Sequence, residues 1–91
     1  MRIDALDIDE HILEKIETKH GLRWDEVEDA CFSPRRHLRQ GRDGTMRIFS
    51  QTSAGRYLLV VLVPRSGGVW KVVTARDMAL SERRLYQQVR R

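Results

Sequence analysis

A chain of 91 residues, with 41% apolar and 33% charged side chains, can build one small core, so a single domain over residues 1–91 is expected. Its longest apolar run, residues 57–63, is far too short to cross a bilayer, and the lack of a basic-then-apolar opening predicts no secretory leader. The one cysteine, Cys31, excludes a disulfide framework and suits a reducing cytoplasm; between Ala30 and Phe32 it reads as a small buried hydrophobe, not a nucleophile.

In chain order, residues 2–6 admit a short strand. Asp7 and Glu10 have capping-box spacing and open a helix whose apolar face is Ile8, Ile12, Leu13 and Ile16. Lys19, His20 and Gly21 close it, because cations suit the negative end of the helix dipole and glycine accepts a left-handed stop. A second helix is predicted from Trp24 to Phe32, burying Val27, Ala30 and Cys31 and exposing Asp25, Glu26, Glu28 and Asp29; Ser33-Pro34 ends it.

From Arg35 the periodicity becomes two. Residues 36–40 read as a short edge strand, 41–44 as a turn, and Met46–Gln51 as a half-buried strand. Ser53-Ala54-Gly55 leads into residues 57–63, the central strand. After a turn at 64–68, residues 69–75 form the last strand, with Trp70, Val72 and Thr74 on one face together with Arg76. The closing helix is expected to bury Met78, Leu85, Tyr86 and Val89. Short turns demand antiparallel pairing, so the expected class is α+β: two N-terminal helices, a three- to four-stranded antiparallel sheet and a C-terminal helix.

The net charge of +4 is unevenly spread: residues 1–30 hold ten acidic and four basic side chains, residues 31–91 thirteen basic and three acidic. Twelve of those thirteen are Arg, whose planar fork of donors matches phosphate oxygens, so the basic portion points to a nucleic-acid partner. Cys31, His11, His20 and His37 lack the paired spacing of zinc sites, and no GxGxxG, GxxxxGK or Gly-x-Ser-x-Gly pattern occurs. No metal and no cofactor are therefore expected. What remains is Arg, His, Glu and Tyr, the kit of metal-free phosphodiester cleavage. In that reaction a base takes the 2′-hydroxyl proton, cations stabilise the phosphorane, and an acid protonates the leaving oxygen. The 2′-hydroxyl supplies the nucleophile, so the expected substrate is RNA.

Three stretches, KHGLRWDEVEDA, GRYLLVVLV and VWKVVTARDMALSERRLY, in that order and spacing, resemble the BrnT family of toxins within the RelE-like ribonuclease superfamily. The resemblance implies a small bacterial, cytoplasmic toxin of a type II toxin–antitoxin system, which inhibits translation by cutting RNA. It also implies a cognate antitoxin, commonly of the ribbon-helix-helix type, through which the complex reaches operator DNA. Matched position by position, it points to His20, Arg56, Arg76, Glu82, Arg83 and Tyr86 as catalytic; Lys19, Arg47 and Lys71 are candidate RNA contacts. The chain departs from the family at GRDGTMR, where an acidic stretch is usual and only Arg47 remains, and at Arg23, where a Ser or Thr usually caps the second helix. The alternative function is a toxin-like module that binds an antitoxin or nucleic acid without cutting.

Each candidate also has a structural role to weigh. His20 falls on the apolar face of its helix, where a half-buried, hydrogen-bonded ring is common. Arg56 opens a strand, as surface arginines do. Arg76, leaving the sheet face, needs an anion, either Glu82 or phosphate. Tyr86 shares a helix face with Glu82 and Val89 and reads as core, with its hydroxyl at the edge of the site. Trp24 and Trp70 read as core or interface anchors, with base stacking as the rarer use.

Overall fold

A computed structural model describes residues 1–89. Its elements are β1 (Ala5–Ile8), α1 (Glu10–His20), α2 (Trp24–Phe32), β2 (His37–Gln40), β3 (Met46–Gln51), β4 (Tyr57–Pro64), β5 (Val69–Asp77) and α3 (Leu80–Val89). The strands form one sheet in the order β1-β5-β4-β3-β2. Strands 2 to 5 follow one another through short turns and pair antiparallel. The β2–β3 turn is of the primed type, with Asp43 and Gly44 both at positive φ, 55° and 76°, which matches the twist of the flanking strands.

The sheet departs from expectation at β1, which lies parallel to β5, with Ala5 opposite Val69 and Ile8 opposite Val72. No short turn joins these two strands, so nothing local dictates their direction, and the sheet is a mixed one of five strands. Asp7 therefore sits inside β1 and does not cap the helix: Asp9 precedes α1, and Asp7 Oδ1 accepts the Ile8 N–H at 2.8 Å. Ile8, read as the first helical apolar position, is a strand residue packed against the same core. Gly21 ends α1 as predicted, in the left-handed conformation (φ 62°). At the start of α2, Arg23 offers no capping oxygen; the Glu26 carboxylate reaches back to accept the Arg23 N–H at 3.0 Å instead.

The sheet is covered on both faces. Ile16, Leu22, Val27, Ala30 and Cys31 from the first two helices and the turn between them pack on Ile48, Leu58, Val60, Leu62, Val72 and Ala75, all buried. Fully burying one such aliphatic side chain contributes about 1.5–3 kcal/mol before the entropy of ordering it. On the opposite face α3 contributes Tyr86, which packs with Phe49 and Leu59, flanked by Tyr57, Val61 and Met78. Leu85 and Val89, expected in this core, are each 46% exposed. With ten residues, α3 lays only a narrow stripe on the sheet.

One irregularity decides which side chains can form a site. Val61 pairs with Thr74 but Leu62 pairs with Val72, so Val73 is an extra residue in β5. Beyond such a bulge every side chain moves to the face opposite the one that plain alternation gives. Alternation places Arg76 with Trp70 and Val72. In the structure Ala75 joins Val72 in the core under α1 and α2, and Arg76 stands opposite Leu59 on the α3 face.

Candidate active site

The junction of β5 with α3 is built around one carboxylate. Ala79 has no side chain with which to cap α3, so Glu82 reaches back and accepts its N–H at 2.8 Å. That aims the carboxylate at β5, where Arg76 binds it end-on, Nη1 to Oε1 at 2.7 Å and Nη2 to Oε2 at 2.9 Å. Arg76 Nη1 also donates to the Asp77 carbonyl at 3.0 Å. The side-on fork of the same guanidinium, Nε–H with the second Nη2–H, has no hydrogen-bond partner among the described residues. The Arg76 side chain is 39% exposed and stands behind Glu82, outside the residues that line the neighbouring cleft. Arg76 holds the Glu82 carboxyl below the usual carboxylate range, helped by the Ala79 N–H and by Arg47. Glu82 is thus ionised at neutral pH.

Beside Glu82 a cleft of about 180 Å³ opens between α3 and the β2–β3 hairpin, lined by His37, Arg39, Arg47, Phe49 and Tyr86 and rimmed by Leu85 and Val89. Arg39 lies directly opposite Arg47 in the ladder, and His37 opposite Phe49. Tyr86 is core, 2% exposed, and its hydroxyl donates to the Arg35 carbonyl at 2.7 Å. Its ring meets Tyr57 edge to face at 6.0 Å. The Arg83 guanidinium lies 4.1 Å from the Tyr57 ring centroid, a cation–π contact that holds a positive charge beside this junction.

Arg56 lies across the sheet and does different work. Its Nε and Nη2 bind Asp77 at 2.8 and 3.0 Å, Nη2 also donates to the His20 carbonyl at 3.0 Å, and Nη1 donates to the Gly21 carbonyl at 3.1 Å. Nη1 reaches the Glu26 carboxylate as well, at 3.3 Å. Every nitrogen is committed, which leaves nothing with which to grip a phosphate. Asp77 and then Glu26 push the Arg56 pKa up, and Arg56 in turn lowers that of Asp77. The network ties the α1–α2 turn to the end of β5.

The structure therefore divides the predicted residues. Arg76, Glu82, Arg83, Tyr86 and Arg47 gather on the α3 face. His20 and Arg56 stand at the α1–α2 turn, Arg56 sharing a separate cleft with Tyr57, Asp77 and Arg83, while Lys19 is exposed on α1 and Lys71 is ion-paired with Asp9 at 2.7 Å near the start of β5. His37 and Arg39 are the cleft residues that the sequence reading passed over. Pairing the strands on either side of Asp43-Gly44 would have found them, since it sets them opposite Phe49 and Arg47. Among the described residues, no three His, Cys, Asp or Glu side chains gather as metal ligands do. Burial pushes the Cys31 thiol up to about 12, which keeps it protonated and unreactive. No described helix is long and apolar enough to cross a membrane.

No family model matches the chain, and no curated protein matches it by sequence. Its structure, however, superposes on the crystal structure of the ribonuclease toxin BrnT of Brucella abortus with a TM-score of 0.69, covering 82% of this chain and 96% of that one. The chain has the BrnT fold. Sequence identity over the match is 14%, so what the two proteins share is architecture. Within that architecture the three stretches that resembled BrnT are landmarks: the α1–α2 turn, the central strand β4, and the β5–α3 junction. The cleft beside that junction is built by this chain's own side chains.

Proposed function

We propose that this chain is a ribonuclease toxin that cuts RNA without a metal ion, in the cleft between α3 and the β2–β3 hairpin. The observation that carries the reading is the unpartnered side-on fork of Arg76 beside an ionised Glu82 that lines the cleft. Glu82 takes the proton of a 2′-hydroxyl, and that oxygen attacks the adjacent phosphorus. The Arg76 fork, with Arg39 and Arg47, takes up the negative charge that grows on the phosphorane. His37 gives a proton to the departing 5′ oxygen as the P–O5′ bond breaks. The products are a 2′,3′-cyclic phosphate and a 5′-hydroxyl. Arg83 and Tyr86 hold the junction together, and Arg56 and His20 support it from behind the sheet.

A cognate antitoxin, of the ribbon-helix-helix type that would also carry the complex to operator DNA, covers the site. The exposed Leu85 and Val89 and the outer edge of β2 are what it would mask. The compartment is the cytoplasm, as an unpaired, buried cysteine allows. One observation favours the competing reading, a module that binds without cutting: Arg76 grips Glu82 so closely that the carboxylate is a weak base. Purified protein incubated with single-stranded RNA and a chelator decides between the two. Fragments ending in 2′,3′-cyclic phosphate are expected, and intact RNA would leave the binding module.

A further inference from the structure

Arg39 and Arg47 face one another across the β2–β3 ladder, both exposed, and neither has a carboxylate partner among the described residues. Like charges directly opposite one another destabilise a ladder unless an anion lies between them. The cleft they line also continues in both directions. Toward the hairpin tip, Arg47 is shared with a second cleft containing Arg42 and Thr45. Toward α2, His37 and Val89 are shared with a third, lined by Pro34, Arg35 and Arg36. Among the described residues, Glu82 is the one acidic side chain lining any of the three. Arg35 and Arg36 are held by the carbonyls of Thr52, Cys31 and Met1, which fix the guanidinium groups without cancelling their charge.

We infer that these clefts form one continuous track for single-stranded RNA, running from Arg42 past the Arg39–Arg47 pair and His37 to Arg36, with the scissile phosphate beside Glu82, which Arg76 holds from outside the cleft. This rests on the reading of the central cleft as an RNA site and adds how the strand lies across it. A single strand is the substrate class because a 2′-oxygen must swing into line with the P–O5′ bond, which a stacked A-form duplex prevents. Arginines spaced along a groove suit a flexible backbone.

The test is binding of the full chain to a 2′-O-methyl single-stranded RNA, which cannot be cut, at several salt concentrations. Each phosphate contact releases counterions, so Arg39→Ala and Arg42→Ala should each flatten the slope of log affinity against log salt by about 0.7, whereas Lys15→Ala on α1 should not. A duplex of the same sequence should bind more weakly. Slopes for both arginine variants equal to that of the parent, or a duplex bound as tightly as the single strand, would overturn the track. Cleavage of ordinary RNA by the parent is read separately: cutting with unaltered slopes removes the track alone, and the expected slopes without cutting remove the ribonuclease reading alone. Absence of binding removes both.

Discussion

Replacing Arg76 with Ala is expected to slow RNA cleavage by about a hundredfold or more while the protein stays folded, because the phosphorane loses the one cation that approaches it side-on beside the base. Arg76→Lys should recover only part of the rate, since an ammonium is a point charge and cannot present a fork to two oxygens. Arg56→Ala is expected to act through stability instead. The carbonyls of His20 and Gly21 and the carboxylate of Asp77 lose their donor, a loss of about 1–3 kcal/mol. Asp77 has a folded pKa lowered chiefly by Arg56, so its contribution is present above the unfolded value of about 3.9 and disappears as pH falls through the lower folded value. Arg56→Ala should remove that acid-range dependence. Urea midpoints measured beside cleavage rates separate the two arginines: the first variant keeps its midpoint and loses its rate, and the second does the reverse per folded molecule.

The second large effect belongs to His37. His37→Ala should cut cleavage by about a hundred- to ten-thousandfold with ordinary RNA. It should cost far less with a substrate whose leaving oxygen is replaced by sulfur, because a thiolate departs without a proton. The pH profile reports on Glu82. Glu82 must be ionised to accept a proton, and Arg76 holds it below the usual carboxylate range, so the rising limb lies below that range too. His20→Ala, at the α1–α2 turn, should leave that limb in place. Equal losses with oxygen and sulfur leaving groups would make His37 a residue of shape, not a proton donor.

Most of the architecture could be read from the chain because local chemistry specified it. Gly21 stops α1, Ser33-Pro34 follows α2, and Asp43-Gly44 turns the hairpin, each for reasons confined to a few residues. The Arg76–Glu82 pair was also legible, since a charge at the end of a strand needs a partner and α3 supplies one a short way on. What escaped was non-local. The parallel pairing of β1 with β5 depends on strands at opposite ends of the chain. The bulge at Val73 moves Arg76 to the other face of the sheet without any glycine or proline to mark it. The saturation of Arg56 requires carbonyls from the α1–α2 turn, and motif matching cannot tell a spent guanidinium from a free one. His37 and Arg39 were missed for a simpler reason: a short edge strand invites no search for a site.

The central claim is that RNA meets this protein on the α3 face, along β2 and β3. Nuclear magnetic resonance of the ¹⁵N-labelled parent protein, titrated with 2′-O-methyl single-stranded RNA, which cannot be cut, tests it directly. Amide shifts gathered in residues 35–51 and in α3 are the predicted result. Shifts gathered at His20, Gly21, Arg56 and Asp77, with β2 and β3 unmoved, would contradict it.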